Sequence, residues 1–316
     1  MQIEGRNPEL TSVVMVSYRT GPVLFEAIRN LLNQSVEFEL LLIDNGNSDE
    51  VVATLLQIQS RDKRFRVIRG HGNIGFAAAC NLGARLAKGA SLLFLNPDCV
   101  VDADCLQKLK DEFADRPGKV LIGSDIRNPD LSKQGAARRR RLTPWLAFVE
   151  ISRAYLCAPN HPYFRRYRQH GEALPDETVE VEAISGAFMA VRHQHYWGVG
   201  GMDEGYFLHV EDLDFCVRFH LAGGNILFCP QLKAIHVQAS SDVNWFFVEW
   251  HKAMGLRRYF RAHFVAVYPK GFLSLVISFV FLRMLARSVW RCVTAVPLAL
   301  ARVVTTKAAR TEHVVQ

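Results

Sequence analysis

Residues 200–224, GGMDEGYFLHVEDLDFCVRFHLAGG, bring the acids Asp203, Glu204, Glu211, Asp212 and Asp214 to the start of a helix-like segment. Leu213, Cys216, Val217 and Leu221 give that segment an apolar face at helical spacing. The helix dipole favours acids in the first turn, which accounts for one or two of them but not for the whole set. A carboxylate at a helix start, facing a cleft, is well placed to remove a proton from an incoming hydroxyl.

Two further acids follow apolar runs: Asp44 closes FELLLID, and Asp98 lies two residues beyond SLLFLN. Carboxylates there are costly to bury and seldom needed for folding, so a ligand role is preferred to a cap or turn role. Between them, Gly70 to Gly75 read GHGNIG, the G-x-G-x-x-G spelling of a dinucleotide-binding turn, with a strand-like run before and a helix-like run after. His236 follows the strand-like LKAI. By itself it reads as structural, yet its imidazole could complete an oxygen-rich Mg2+ or Mn2+ site with Asp98 and diphosphate oxygens. The other histidines, His193 and His195 among them, have no metal-ligand spacing.

The elements that must position these groups follow from hydrophobic patterning. SVVMVSY, FELLLID, FRVIR and SLLFLN are short, nearly continuous apolar runs separated by segments of helical period, such as PVLFEAIRNLLNQ with Pro22 in its first turn. Strands apolar on both faces and alternating with helices predict an α/β fold, a mostly parallel sheet between helix layers, with ligands at the carboxyl ends of the strands. After KVLIGSD (Lys119 to Asp125) the pattern dissolves into a long irregular region, and it resumes at VEVEAISGAFMAVR (Val179 to Arg192). Arg138 to Arg141, inside that region, read first as a solvated basic loop, with a clamp on phosphates or lipid headgroups as the alternative.

Composition bounds the rest. A chain of 316 residues with 49% apolar content is globular, without repeats or low-complexity segments. Seven widely spaced cysteines with no C-x-x-C indicate neither a disulfide framework nor a thiolate zinc site. MQIEGRNPEL has no apolar h-region, so a cytoplasmic location is expected. From His251 onward there are 11 Lys/Arg against the single acid Glu312, a net of +10, while the first 250 residues carry 27 basic and 30 acidic groups, a net of −3. The basic residues of the tail are interleaved with a long aliphatic run, which argues against nucleic acid.

In their order, VVMVSYRT, LLLIDNGNSDE, GNIGFAAACNLG, LLFLNPDCVV, ISGAFMAVR, GGMDEGYFLHVEDLDFCVRF and AIHVQASS resemble the family 2 glycosyltransferases of GT-A fold, over about Ser12 to Ser241. Within them the chain is most similar to the rhamnosyltransferase-like branch that builds bacterial cell-wall and O-antigen polysaccharide. The resemblance implies that Asn73, Gly75, Ala79, Asn81 and Gly83 form the family's N-x-G-x-x-x-A-x-N-x-G segment, which leaves Gly70 and Gly72 outside it and makes the dinucleotide spelling an accident. It further implies that Ser17 and Tyr18 border the nucleobase and that Asp44 accepts from the pyrimidine N3–H. Asn73, Gly75, Asn96 and Asp98 complete the nucleotide-sugar site. Asp98 would be the metal-binding Asp of D-x-D, His236 the later metal ligand, Asp212 the base and Glu211 its neighbour, with Gly186, Ala187, Asp203 and Glu204 on the acceptor side. Asn96 stands where the first Asp of D-x-D is expected.

The activity so implied is an inverting transfer of a sugar, first L-rhamnose from dTDP-L-rhamnose, onto a lipid-linked or polysaccharide acceptor. One base and no nucleophile imply a single displacement, assisted by Mg2+ or Mn2+. Other UDP-, dTDP- or GDP-sugars are the alternative donors. An NAD(P)-dependent oxidoreductase would leave Asp44, the acid-rich helix and His236 without a role, and a non-catalytic binding module would lack a base or metal residue.

The division expected is a catalytic unit over 1–250, with nucleotide-sugar (1–125) and acceptor (126–250) halves, and a basic tail over 251–316. The uncharged run Gly271 to Leu282, 12 residues, is too short to span a bilayer, where about 20 are needed. Arg283, Arg287 and Arg291 share one helical face, with Leu282, Leu285, Val289 and Val293 opposite. A basic amphipathic helix of this kind suits an anionic membrane surface, here the inner face of the cytoplasmic membrane. Packing on the catalytic unit or on a second subunit of a homo-oligomer is the competing expectation.

Overall fold

The computed structural model describes residues 6–158, 161–238 and 243–312. The first five residues, and the last residues of the AIHVQASS motif from 239 on, lie outside them. In chain order the elements are β1 (Asn7–Ser17), α1 (Val23–Leu32), β2 (Phe38–Asp44), α2 (Asp49–Arg61), β3 (Phe65–Ile68), α3 (Phe76–Leu86), β4 (Gly89–Leu95), β5 (Cys99–Val101), α4 (Cys105–Asp115) and β6 (Val120–Arg127). There follow β7 (Arg138–Arg139), α5 (Pro144–Ser152), β8 (Val179–Glu180), β9 (Ala183–Ile184), β10 (Phe188–Arg192), α6 (His193–Gly198), α7 (Glu211–Leu221), β11 (Asn225–His236), α8 (Trp245–Phe264) and α9 (Lys270–Glu312).

The strands form a mixed sheet in the order β3-β2-β1-β4-β10-β6-β11-β5, with β8 paired to β11. β1, β2, β3 and β4 run parallel, β11 is parallel to β6, and β10 is antiparallel to both of its neighbours. The four apolar runs are β1 to β4; β1, β2 and β4 are buried along most of their length, and edge strand β3 is half-buried beyond Phe65. Alternate residues face opposite layers: Val14, Val16, Leu41 and Ile43 pack with α3, α6 and α7, while Val13, Met15, Leu40 and Leu42 pack with α1 and α4.

The long irregular region contains α5, begun by Thr143, whose side chain accepts from Leu146 N, with Pro144 in the first turn. That Thr-Pro pair is a helix-start signal. The expected internal divisions fall inside elements. Asp125 and Ile126 are both in β6, and residue 250 lies within α8. Ala253, Tyr259, Phe260 and Phe264 of α8 join the core built on the sheet.

Beyond α8 the tail forms one long helix, α9. Leu273, Val276, Val280 and Met284 are buried against the rest of the chain, which favours packing on the catalytic unit for this stretch. By length and composition Lys270–Arg291 could cross a membrane, because the apolar character continues past Leu282 on either side of the arginines. The twelve-residue limit read from the uncharged run was therefore too strict.

Candidate active site

β1 and β4 are adjacent, and the chain leaves them in opposite directions across the sheet, toward β2 and toward β10. A crevice opens at such a reversal, outside the strand carboxyl ends. Ser17 and Asp44 end neighbouring strands in register, Asn96 and Asp98 follow β4, Gly186 and Ala187 precede β10, and His236 ends β11. GHGNIG instead follows β3, the edge strand, far from the reversal where a dinucleotide turn would sit.

Asp44 is buried and folds back on its own turn: Oδ1 accepts from Gly46 N (3.1 Å), Asn47 N (2.9 Å) and Asn47 Nδ2 (2.8 Å). Half-buried Tyr18 lies against Gly46, whose φ is +129° and where an added Cβ would come within 3.2 Å of the Tyr18 ring. Ser17 is fully buried and bonds Thr20 Oγ1 (3.2 Å) and Asn47 Oδ1 (3.1 Å), so it braces this turn from beneath. Asn73 Oδ1 accepts from Gly75 N (3.1 Å), and Asn45 Nδ2 donates to Gly75 O (3.1 Å), tying the β2 turn to the loop before α3. Gly75 must be glycine: its φ is +83° and a Cβ would sit 2.7 Å from Phe207 O.

Asp98 Oδ1 lies 3.1 Å from His236 Nε2, and Asn96 Nδ2 is 3.3 Å from the same nitrogen. The other ring nitrogen, Nδ1, is 3.0 Å from Gln134 Oε1, while Gln134 Nε2 donates to His236 O at 2.7 Å. That second bond orients the amide, so Gln134 Oε1 accepts and His236 Nδ1 carries the proton. Nε2 is thereby turned toward the Asp98 carboxylate, where the two can share a cation. Cys99 Sγ also lies nearby, its sulfur together with the Asp98 and His236 ligand atoms falling within 4.8 Å of one another. It donates to Ala187 O at 3.5 Å, and burial, with the Asp98 charge, pushes its thiol well up. Carboxylate oxygen plus imidazole suits Mg2+ or Mn2+.

Asp212 sits in the first turn of α7. Oδ2 accepts from Arg139 Nη2 (2.6 Å) and from Gly186 N (3.0 Å), and Oδ1 accepts from Leu213 N (2.8 Å). Arg139 and Asp212 side chains are 8% and 14% exposed. Arg139 therefore departs from the solvated-loop expectation for residues 138–141: its guanidinium is buried on the acid and also donates to Ile184 O. Burial alone would raise the Asp212 carboxyl, but the guanidinium outweighs it and holds the pKa below the ordinary value. Glu211 has the opposite fate. Burial, helped by the Asp212 charge, pushes it up to about 8, and its Oε2 has no hydrogen bond among the described residues.

The backbone entering α7 is strained, with His209 (φ 67°) and Val210 (φ 75°) both left-handed. For a β-branched residue this is unusual and costs on the order of 1–3 kcal/mol. Asp214 anchors this helix, accepting from Arg218 Nε (2.7 Å) one turn along α7, from His263 Nε2 (2.7 Å) on α8 and from Tyr206 OH (3.2 Å). Asp203 and Glu204 stand apart from Asp212 in their bonding: Asp203 pairs with Arg258 (2.8 Å), and Glu204 with Arg85 (2.8 Å) and Asn81 (2.9 Å).

One dipeptide joins the two centres. Gly186 N holds Asp212, and Ala187 O accepts Asn96 N at 3.0 Å. A Cβ on Gly186 would meet Asp212 Cβ at 3.1 Å. Arg139 and Gln134, which position Asp212 and His236, went unnoticed in the sequence because neither forms a motif with its target. Their partners are 73 and 102 residues away.

Residues 12–179 match the model of the family described as Glycosyl transferase family 2. The chain belongs to this family. Rhamnosyltransferase WbbL of Escherichia coli (strain K12) is 40% identical over 249 residues, 76% of this chain and 88% of that one. The N-acetylglucosaminyl-diphospho-decaprenol L-rhamnosyltransferase of Mycobacterium tuberculosis is 28% identical over 251 residues, 74% of this chain and 78% of that one. The glycosyltransferase described here is thus of the rhamnosyltransferase-like kind. Solved structures with the same fold include GalNAc-T7 with UDP, GalNAc and Mn2+ (TM-score 0.61, 18% identity, 81% of this chain and 48% of that one). A mannosyltransferase from Pyrobaculum calidifontis with GDP-Man and Mn2+ is another (TM-score 0.55, 15% identity, 86% and 68%). The fold of this glycosyltransferase is GT-A.

Proposed function

We propose that this glycosyltransferase moves L-rhamnose from dTDP-L-rhamnose to a hydroxyl of a lipid-linked or polysaccharide acceptor, with inversion. The observation that carries the reading is the carboxylate of Asp212, kept ionised by Arg139 and oriented by Gly186 N, one dipeptide away from the Asp98–His236 pair. An ionised, fixed carboxylate accepts a proton from an attacking hydroxyl, a contribution of about 10² to 10⁴ in rate. With no second nucleophile assigned in the site, attack is direct and the anomeric configuration inverts. Asp44 Oδ2 is the oxygen left to accept from a pyrimidine N3–H, since Oδ1 already serves its turn, with Tyr18 flanking the slot. Asp98 and His236 would hold Mg2+ or Mn2+, which supplies Lewis-acid stabilisation to the departing diphosphate. Asn96 braces the histidine where an acid was expected.

The exposed stripe of α9, Leu282, Leu285 and Val289, supports attachment to a membrane surface, and a lipid-linked acceptor fits that location. The names of the WbbL and mycobacterial relatives support rhamnose as the sugar, and the diphospho-decaprenol in the latter supports the acceptor class. The test is a donor panel of dTDP-L-rhamnose, UDP- and GDP-sugars with a lipid-linked acceptor, followed by NMR of the new anomeric centre. Turnover only with a UDP- or GDP-sugar, or retention of configuration, overturns this reading.

A further inference from the structure

Apart from the strand-end crevice, a groove of about 320 Å³ lies between α8 and α9, lined by Trp245, Arg283, Ala286, Arg287, Trp290 and Arg291. The arginine stripe of the tail therefore faces α8, whereas Leu282, Leu285 and Val289 are exposed to the surroundings. The guanidinium carbons of Arg291 and Arg287 lie 4.7 and 5.9 Å from the Trp245 ring, and Arg287 Nη1 is 3.2 Å from Glu249 Oε1.

Cations continue inward from this groove. Half-buried Lys252 on α8 lies within electrostatic reach of Arg168, Arg283 and Arg287, with Glu249 the acid among them. Burial, and then these neighbouring cations against the pull of Glu249, hold its ammonium below the usual lysine value. His209 is in reach of both Lys252 and Asp212, and Arg168 is paired by backbone to Arg139, the residue that holds Asp212. The cations thus extend from the strand segment that holds Asp212 to the amphipathic helix. Lys252 and Arg287 share the single acid Glu249 with further cations close to Lys252, and a multiply charged anion relieves the repulsion among them.

We propose that Lys252, Arg168, Arg283 and Arg287 form a second anion subsite, separate from the donor's, that holds the diphosphate joining the acceptor sugar to its lipid. The proposal rests on the reading of Asp212 as base and of the acceptor as lipid-linked. With the diphosphate on these cations, the first sugar extends toward Asp212 and the lipid chain leaves past Trp245 and Trp290 along α9. The order of the groups fits: Arg168 is paired with the strand that carries Arg139, and Arg283 and Arg287 stand on the helix that carries the apolar stripe.

The test compares two soluble acceptors without vesicles, carrying the same sugar on a short alkyl diphosphate and on a neutral alkyl chain. The full-length protein is expected to prefer the diphosphate form. Lys252→Gln, and Arg283→Ala with Arg287→Ala, are expected to raise its KM about tenfold for each charge-assisted bond lost, leaving kcat, donor KM and the neutral acceptor unchanged. Equal weakening on both acceptors, or no change on either, overturns the subsite. An effect seen only with anionic vesicles also overturns it, in favour of bulk headgroups. A second arm titrates a short prenyl diphosphate into the full chain in EDTA by calorimetry. Saturable binding lost in the variants supports the subsite even if the wild type transfers to neither acceptor, a result that would remove the acceptor reading alone. Absence of binding in wild type overturns it.

Discussion

Arg139 Nη2 lies 2.6 Å from Asp212 Oδ2, and this buried pair sets the charge of the carboxylate proposed as the base. Asp212→Asn is expected to lower kcat by about 10² to 10⁴ while nucleotide affinity stays near wild type. Single-turnover transfer alongside nucleotide titration separates the two, and wild-type turnover would remove Asp212 from the role of base.

Arg139→Ala leaves an uncompensated buried carboxylate. Breaking a buried pair in this way destabilises by about 3–5 kcal/mol, read as a lowered Tm. In the surviving fold the Asp212 carboxyl rises, because burial then acts unopposed. The acid limb of the kcat/KM profile should therefore move to higher pH, and Arg139→Lys should restore most of it. An unmoved limb would show that Arg139 only braces the fold.

Glu211 carries a pH dependence of stability. Its folded pKa, about 8, lies above its ordinary value of 4.5, so the native state binds the extra proton between them. The stabilisation is complete below about pH 4.5 and is lost as pH rises through 8. Glu211→Gln, which stays neutral, is expected to show a smaller fall in Tm between pH 5.5 and 8.5 than wild type. Equal slopes would mean that the carboxyl is ionised in the fold.

Gly186→Ala is expected to lower kcat more than donor affinity, because the added Cβ meets Asp212 at 3.1 Å and must push the base aside. Gly75→Ala should instead cost stability and nucleotide binding together, since its φ of +83° and the contact with Phe207 O both resist a side chain. Thermal melts with and without nucleotide distinguish the two.

Mn2+ together with nucleotide should raise the Tm of wild type more than nucleotide alone, by the linkage of binding to folding. Asp98→Asn and His236→Ala should abolish the increment. Gln134→Leu should weaken it about 10- to 100-fold in metal affinity, the usual effect of losing a group that orients a ligand. An increment that survives in His236→Ala would remove the histidine from the ion.

Much of this was legible in the chain itself. Four apolar runs predicted β1 to β4, because a strand covered on both faces by helices must be apolar throughout. The crowd of acids predicted a carboxylate-rich first turn, and Asp44 and Asp98 were placed at strand ends by counting from those runs. The helix α5 was signalled by Thr143 and Pro144 and still passed over, since its surroundings lack a periodic apolar face. Arg139 was read as solvated because a run of four arginines normally stays in water. Nothing local says that the second of them turns inward.

By itself, then, the sequence determined the layered α/β unit, the edge where ligands gather and the types of group found there, since periodicity and strand ends are local properties. Only the tertiary structure decided that Arg139 sits on Asp212, that Gln134 turns His236 toward Asp98, that Asp203 and Glu204 pair elsewhere, and that the tail arginines face α8. Those choices join residues scores of positions apart, and they depend on which buried charge finds a counter-charge once the sheet has brought the segments together.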